Sequence, residues 1–184
     1  MSLAEEKSAA RTAAFARRKL AFDAAPLAQA GYLSEVLAGY RGVPVSGYMA
    51  MRTEIDPLPA MARAAAHGPV GVPVIVAKGA ALRFALWDPG CGIVDGPFKT
   101  QVPAVLTWMT PQILIVPLLA FNRHGARLGY GGGYYDRTLA GLRAGGPVLA
   151  IGFAFAGQQV DGLPLEPTDQ PLDLIVTERG IVEP

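Results

Sequence analysis

Short, continuous apolar runs alternate along this chain with alanine-rich amphipathic stretches, and the alternation predicts the order of its secondary structure. Runs this short and this rich in β-branched residues are typical of strands that are buried on both faces. ALRFALW (81–87) is a further candidate strand. The clearest runs are VPVSGYMAM (43–51), VPVIVA (72–77), QILIVPLLAF (112–121), PVLAIGFA (147–154) and LDLIVT (172–177).

The stretches between the strands predict four helices. The first covers about residues 2–22, where Ser2 and Glu5 form a capping-box pattern. The second runs from Pro26 to about Tyr40, the third ends near Gly68, and the last covers about residues 133–143. Strands alternating with helices predict an α/β fold with a mostly parallel central sheet flanked by helices on both faces. No linker or repeat divides the chain, so we expect one domain over residues 1–184.

One segment has no clear periodicity. Residues 89–111 are interrupted by glycines and prolines, which predicts a long covering loop that holds Asp95, Phe98, Lys99 and Trp108.

Composition excludes several classes of protein. The formal net charge of +1 gives no nucleic-acid signature, and the apolar run 113–121 is too short to span a bilayer. The N-terminus lacks the apolar region of a secretory signal. A single cysteine, Cys91, cannot form an intramolecular disulfide, and it suits a reducing compartment. We therefore expect a soluble cytoplasmic protein without nucleic-acid or membrane partners.

The sequence RLGYGGGYYDR (127–137) carries the candidate chemistry, with four glycines in five positions. It follows the strongest strand and leads into a helix. Ligands of parallel sheets bind beyond the carboxyl ends of the strands, and backbone N–H groups at a helix N-terminus bind anions. The Walker and Rossmann spacings both fail here, because Tyr134 and Tyr135 occupy positions that those motifs assign to other residues.

Asp136 narrows the interpretation of this loop. A carboxylate beside bound phosphates would repel them unless a cation such as Mg²⁺ lay between, and Arg127 can neutralise a phosphate. The alternative is an ordinary glycine-rich turn in which Asp136 stabilises the start of a helix. Lys7, Arg11 and Arg18 are spaced to share one helix face, which indicates either a solvated basic surface or an anion site.

LLAFNRHGARLGYGGGYYDR (118–137) closely resembles the signature of the 5-formyltetrahydrofolate cyclo-ligases, also called methenyltetrahydrofolate synthetases. The resemblance implies an architecture like that of sugar-phosphate isomerases and CoA transferases. It also implies cyclisation of 5-formyltetrahydrofolate to 5,10-methenyltetrahydrofolate, with ATP as co-substrate and Mg²⁺ as cofactor, through phosphorylation of the formyl oxygen. ADP and phosphate are released. We expect a monomer that accepts folate with or without a polyglutamate tail.

The resemblance also implies the functional residues, carried over position by position. The catalytic residues are Arg127, Tyr134 and Asp136, and the magnesium ligands are Asp136 and Asp169. The folate-binding residues are Met51, Asp56, Tyr130, Gly131, Gly132, Gly133 and Tyr134. The ATP-binding residues are Lys7, Arg11, Arg127, Leu128, Gly129, Tyr130, Gly131, Gly132, Gly133, Tyr134 and Tyr135. The division of work between Tyr134 and Tyr135 stays open.

Two positions and one segment depart from the family pattern. Asn122 stands where many members carry aspartate, Gly132 replaces a lysine of some members, and GPFKTQVP (96–103) differs from the usual covering loop. Two other functions stay open. One is a non-catalytic relative that binds folate or nucleotide. The other is a CoA transferase, which needs a nucleophilic glutamate near a glycine-rich turn; Glu166 and Glu178 lie beyond the next strand.

Overall fold

A computed structural model describes residues 2–184. Its helices are α1 (Leu3–Ala24), α2 (Gly31–Ala38), α3 (Leu58–Ala65) and α4 (Tyr134–Gly145). Its strands are β1 (Val45–Ser46), β2 (Val70–Val74), β3 (Arg83–Leu86), β4 (Ile93–Asp95), β5 (Gln101–Pro103), β6 (Trp108–Met109), β7 (Ile113–Val116), β8 (Ala120–Phe121), β9 (Arg127–Leu128), β10 (Leu149–Phe153), β11 (Leu174–Thr177) and β12 (Gly180–Val182). Short 3-10 turns cover Pro97–Lys99 and Ala156–Gln158.

Eight of these strands form one sheet in the order β12-β11-β10-β7-β1-β2-β3-β6. The five inner strands, from β11 to β2, pair in parallel. The outer strands β12, β3 and β6 pair antiparallel and form the two edges. The prediction of a mostly parallel central sheet is confirmed.

Strand β7 shows how the two faces of the sheet are covered. Ile113 and Ile115 pack in a cluster with Leu33 of α2 and Met61 of α3. The alternate residues Leu114 and Val116 pack in a second cluster with Leu139 of α4. Because successive side chains of a strand point to opposite faces, helices lie on both sides of the sheet, as predicted.

Truncating a leucine at the centre of this core should be costly. Leu114 is 0% exposed, so Leu114→Ala should lower the free energy of unfolding by about 2–5 kcal/mol. Leu27 is 105% exposed, and Leu27→Ala should change it by less than about 0.5 kcal/mol. Urea denaturation of both variants checks the pair, and equal losses would contradict this description of the core.

The largest differences from the predicted element bounds occur at three places. The run 112–121 is one strand only as far as Val116, because Pro117 has no N–H to donate; Ala120–Phe121 instead pairs with β9 in a separate hairpin. Helix α2 begins at Gly31, not Pro26. The run 43–51 forms a strand only at Val45–Ser46.

The prediction of an irregular loop over residues 89–111 is wrong. Strands β4 and β5 form a hairpin there, and β6 extends the main sheet by pairing with β3. The Trp108 ring lies 3.8 Å from the guanidinium carbon of Arg83, which fixes it at the sheet edge. Within residues 2–184, no helix is both long enough and apolar enough to cross a membrane.

Candidate functional site

The carboxyl ends of the inner strands open into a cavity of about 220 Å³. Tyr48, Ile75 and Pro117, which follow β1, β2 and β7, contribute to its lining, and residues 127–136 form much of the rest. Lys7 and Arg11 of α1 and Glu166 and Asp169 of a distant loop complete it. The cavity therefore lies at the edge of the sheet where the sequence placed a ligand site.

Two glycines shape the loop that borders this cavity. Gly131 has φ +99° and Gly133 has φ +64°, conformations that side chains with a Cβ rarely adopt. A Cβ on Gly131 would also lie 3.1 Å from the guanidinium carbon of Arg11. The loop thus needs glycine both for its backbone and for the close approach of α1.

Substitution by alanine should destabilise the chain at the positive-φ Gly131 and have little effect at Gly129 in the same loop. Gly131→Ala should destabilise the chain by about 1–2 kcal/mol, the cost of a left-handed conformation, which lowers Tm by about 2–8 °C. Gly129→Ala is the matched control, because Gly129 has a negative φ and open space around its Cβ position. Calorimetry of both variants tests this, and equal Tm values would argue against the described loop.

The start of α4 offers an anion site at the cavity. Among residues 2–184, no side chain caps the helix at Gly133, so N–H groups of its first turn are available to bind an anion. Arg127 lies beside it, buried, with Nη2 2.7 Å from Asp136 Oδ1. Arg127 Nη1 also donates to the carbonyl of Gln170, whose N–H donates to Asp136 Oδ1 at 2.9 Å. The Arg127 guanidinium and the Asp136 carboxylate are therefore held in place at the N-terminus of α4.

Helix α1 supplies the other cations. Lys7 is only 7% exposed, and its Nζ lies 2.7 Å from Glu166 Oε1 and 2.9 Å from Asp169 Oδ2. Burial alone would lower the pKa of Lys7, but hydrogen bonds and charges from these two carboxylates raise it overall. Arg11 Nε donates to the carbonyl of Gly129 at 3.0 Å. Of the two alternatives for this helix face, the solvated surface is excluded at Lys7.

Asp56 is the only predicted site residue that does not line the cavity. Its Oδ1 accepts a hydrogen bond from Leu58 N at 2.9 Å, at the start of α3. Glu54, which the sequence analysis missed, lines the cavity with Met51 and accepts from the Met51 N–H at 2.8 Å. The available signal was a second carboxylate in RTEID, three residues after Met51.

The carboxylates suit the chemistry of magnesium. Asp136, Asp169 and Glu166 all line the cavity beside the basic groups, and each accepts from Arg127 or Lys7. Over the described residues 2–184, no three His, Cys, Asp or Glu side chains converge as a ready-made metal cluster. Mg²⁺ does not need one, because it binds through one or two carboxylates together with phosphate oxygens and water. Asp136 and Asp169 therefore fit the predicted cofactor.

The two tyrosines differ in their surroundings. Both line the cavity, and the Arg137 guanidinium carbon lies 5.3 Å from the centre of the Tyr134 ring. The hydroxyl of Tyr135 is buried and has no hydrogen-bond partner within residues 2–184, and burial raises its pKa well above the usual value. An acceptor on a bound ligand would stabilise Tyr135.

The family departures have local explanations. Asn122 Oδ1 accepts from His124 N at 3.0 Å and Ala126 N at 3.1 Å, so the amide closes the β8–β9 turn as a carboxylate would. A Cβ on Gly132 would lie 2.8 Å from the Tyr134 ring, so a larger residue would need that ring to move. The segment 96–103 belongs to the β4–β5 hairpin and does not line the cavity.

A larger cavity, about 500 Å³, lies at the opposite end of the parallel strands, between α2 and α3. Its lining includes Val45 and Val70 at the amino ends of β1 and β2, and none of the predicted site residues. The smaller cavity is the candidate functional site because of its charged lining and its position at the carboxyl ends of the strands, and not because of its size.

Curated relatives match this chain over only part of their length. The chain is 40% identical over 95 residues to the 5-formyltetrahydrofolate cyclo-ligase of Haemophilus influenzae, a match covering 51% of this chain and 46% of that one. It is 36% identical over 107 residues to the Escherichia coli K12 cyclo-ligase, covering 55% and 58% respectively. The chain thus spans about half the length of the curated relatives it matches.

Solved structures share the fold over nearly the whole chain. The Aquifex aeolicus 5,10-methenyltetrahydrofolate synthetase superposes with a TM-score of 0.70 at 22% identity, covering 100% of this chain and 93% of that one. The Mycoplasma pneumoniae synthetase gives 0.66 at 20% identity, covering 94% and 99%. The model of the 5-formyltetrahydrofolate cyclo-ligase family matches residues 7–178. The chain belongs to the 5-formyltetrahydrofolate cyclo-ligase family.

Proposed function

We propose that this protein converts 5-formyltetrahydrofolate and ATP into 5,10-methenyltetrahydrofolate, ADP and phosphate. The observation that carries the proposal is the meeting of Lys7, Arg11 and Arg127 with Asp136 and Asp169 around the uncapped start of α4, in one cavity. Basic groups with free amides bind phosphates, and adjacent carboxylates bind Mg²⁺. Membership of the cyclo-ligase family supplies the folate substrate.

The reaction requires ATP because a formamide oxygen is a very poor leaving group. Attack of the formyl oxygen on the γ-phosphorus breaks the bond to ADP and creates an iminium-like phosphate ester. The nearby N10 nitrogen then attacks the formyl carbon and loses its proton. The new ring forms as the carbon–oxygen bond breaks and phosphate leaves with the former formyl oxygen.

This chain supplies positioning and charge for these steps, as phosphoryl transfer requires. Arg127 and the N–H groups of the first turn of α4 stabilise the negative charge on the transferred group. Lys7 and Arg11 bind the nucleotide phosphates from the α1 side. Tyr134, which lines the cavity, borders the reacting groups.

Asp136 and Asp169 would hold Mg²⁺ in the cavity. Bound there, the ion would neutralise charge on the phosphates and on the two carboxylates. The Arg127 and Lys7 contacts of these carboxylates must then adjust, because both cations are also needed by the nucleotide. We extend the proposal to a cytoplasmic monomer that accepts folate with or without a polyglutamate tail, and size-exclusion chromatography checks the monomer.

An oxygen label tests the proposed chemistry. With ¹⁸O in the formyl group, the label should appear in the released inorganic phosphate. Mass spectrometry of that phosphate gives the answer. Unlabelled phosphate accompanied by methenyl product would exclude phosphorylation of the formyl oxygen.

Two alternatives have separate tests. A non-catalytic relative would bind folate and ATP without forming product. One observation favours the CoA-transferase alternative. Glu166 lines the cavity although it is distant in sequence from the glycine loop. Glu166 is paired with Lys7 Nζ at 2.7 Å, which suits a charge network better than a nucleophile. A covalent adduct on Glu166 after treatment with a CoA thioester, detected by mass spectrometry, would support the transferase.

A further inference from the structure

Arg18 of α1 is buried to an unusual degree, since only 1% of its surface is exposed. Arginine is almost never fully buried unless it is paired, because removing the charge from water is costly. Arg18 does not line the cavity, and the cyclisation described above does not use it. Its burial therefore needs an explanation in its contacts.

Those contacts join two separate parts of the chain. Arg18 Nε donates to Thr53 Oγ1 at 3.0 Å, and Nη1 donates to the hydroxyl of Tyr130. The Tyr130 hydroxyl donates in turn to Glu54 Oε1, which lies 3.8 Å from Arg18 Nη1. The guanidinium carbon also lies 5.4 Å from the centre of the Phe15 ring and 5.5 Å from that of Tyr130. These bonds define the Arg18 cluster: Arg18, Thr53, Glu54 and Tyr130.

Part of the cluster, Arg18, is buried in the protein interior, and the rest of it reaches the cavity. Thr53 and Glu54 belong to the loop after β1, and Tyr130 belongs to the glycine loop. Glu54 and Tyr130 line the cavity. Arg18 therefore lies behind the residues that line the cavity and connects two loops that would contact the ligand.

The charge of Arg18 also acts on Glu54. Burial raises the pKa of Glu54 overall, and the Tyr130 hydroxyl, the Met51 N–H and the charge of Arg18 offset only part of that rise. The other titratable groups whose charges couple to Glu54 are the phenols of Tyr48 and Tyr135, which are neutral at physiological pH. Arg18 is thus the cation that favours an ionised Glu54.

We propose that Arg18 is a positioning residue for folate binding: it holds the Tyr130 hydroxyl against the Glu54 carboxylate, so that both side chains keep their places in the lining of the cavity. The inference rests on the proposed function, because it takes folate as the ligand that contacts Glu54 and Tyr130. Lys7, Arg11 and Arg127, which the proposed function assigns to the ATP phosphates, are not part of the Arg18 cluster. Arg18 should therefore affect folate binding far more than nucleotide binding.

Three variants test this. Arg18→Met removes the charge and the hydrogen bonds, Arg18→Lys keeps the charge, and Arg17→Met is the control on the same helix. Arg17 takes no part in the hydrogen bonds or ion pairs found within residues 2–184. Titration calorimetry measures Kd for 5-formyltetrahydrofolate and for ATP between pH 5 and pH 8, and circular dichroism confirms folding.

Arg18→Met should weaken folate binding by about 10- to 100-fold, the effect of losing hydrogen bonds to a charged group. ATP affinity should stay within about 2-fold, because Arg18 reaches the predicted ATP-binding residues only through the Tyr130 hydroxyl and does not hydrogen-bond to Lys7, Arg11 or Arg127. Without Arg18 the pKa of Glu54 rises further, so the loss of folate affinity on acidification should begin at a higher pH. Arg18→Lys should restore part of both the affinity and the pH profile.

A merely structural Arg18 would give a different pattern. Tm would fall in both Arg18 variants, but their folate Kd and its pH dependence would match those of Arg17→Met. That result would overturn the inference. If Arg18→Met fails to fold, Arg18→Lys and Tyr130→Phe decide through a double-mutant cycle in folate Kd. Non-additive effects support the cluster, and additive effects overturn it. Wild-type protein that binds folate without forming methenyl product refutes the proposed catalysis and leaves these binding measurements decisive for Arg18.

Discussion

Asp136→Asn is expected to reduce magnesium-dependent turnover by about 10²- to 10³-fold, the range for losing one fixed electrostatic contact at a reacting centre. Asparagine keeps the oxygen that accepts from Arg127 and from the Gln170 N–H, so the fold should survive. It removes the negative charge that binds Mg²⁺. Folate affinity should therefore be retained, and turnover should not recover fully at high Mg²⁺.

Asp23→Asn is the matched control for this variant. Asp23 lies at the end of α1, where its exposed carboxylate pairs with Lys19, and it does not line the cavity. Its turnover should follow the wild type across the whole magnesium titration. A magnesium response of Asp136→Asn that matches both the control and the wild type would remove Asp136 from the metal site.

Arg127→Lys is expected to lower kcat/KM for ATP by about 10²-fold. Lysine keeps the positive charge but loses the planar fork that now contacts Asp136 and the Gln170 carbonyl together. Because a lysine cannot hold both partners and a phosphate oxygen, the transferred group should be poorly stabilised. Steady-state kinetics with varied ATP at saturating folate measures the effect.

Arg123→Lys controls for the same substitution on the same hairpin. Arg123 is exposed at the β8–β9 turn, and within residues 2–184 its side chain hydrogen-bonds only to the neighbouring His124. Its kinetics should match the wild type. If Arg127→Lys does so as well, the guanidinium of Arg127 has no part in the chemistry.

The inner strands were predictable because their chemistry is local. Strands β7, β10 and β11 are buried on both faces, so each appears as an uninterrupted apolar run. The exact end of β7 was also encoded, by Pro117, but the run of apolar residues continues past it. The hairpin of β4 and β5 was missed because its glycines and prolines look the same in a loop and in a turn between short strands.

The site was predictable only in part, because several of its contacts join distant residues. The spacing of Lys7, Arg11 and Arg18 places them on one face of α1, yet their environments differ. Lys7 pairs with a loop about 160 positions away, and Arg18 is buried against other loops. Helical periodicity predicts which side chains share a face of the helix, but it does not predict which other element of the fold that face packs against.

The acidic residues after β1 show the same limit. RTEID offers two carboxylates, and the resemblance pointed to Asp56. The turn that returns Glu54 to the Met51 N–H directs Glu54 into the cavity, whereas Asp56 accepts from Leu58 at the start of α3. Sequence identifies the chemistry of such a stretch, and only the folded backbone decides which side chain faces the ligand.

The most direct measurement is the absorbance of the purified protein incubated with 5-formyltetrahydrofolate, ATP and Mg²⁺. Methenyl absorbance should rise with time, require both ATP and Mg²⁺, and be accompanied by one ADP and one phosphate per product formed. Absence of methenyl absorbance from folded protein that binds both substrates would contradict the proposed cyclo-ligase activity.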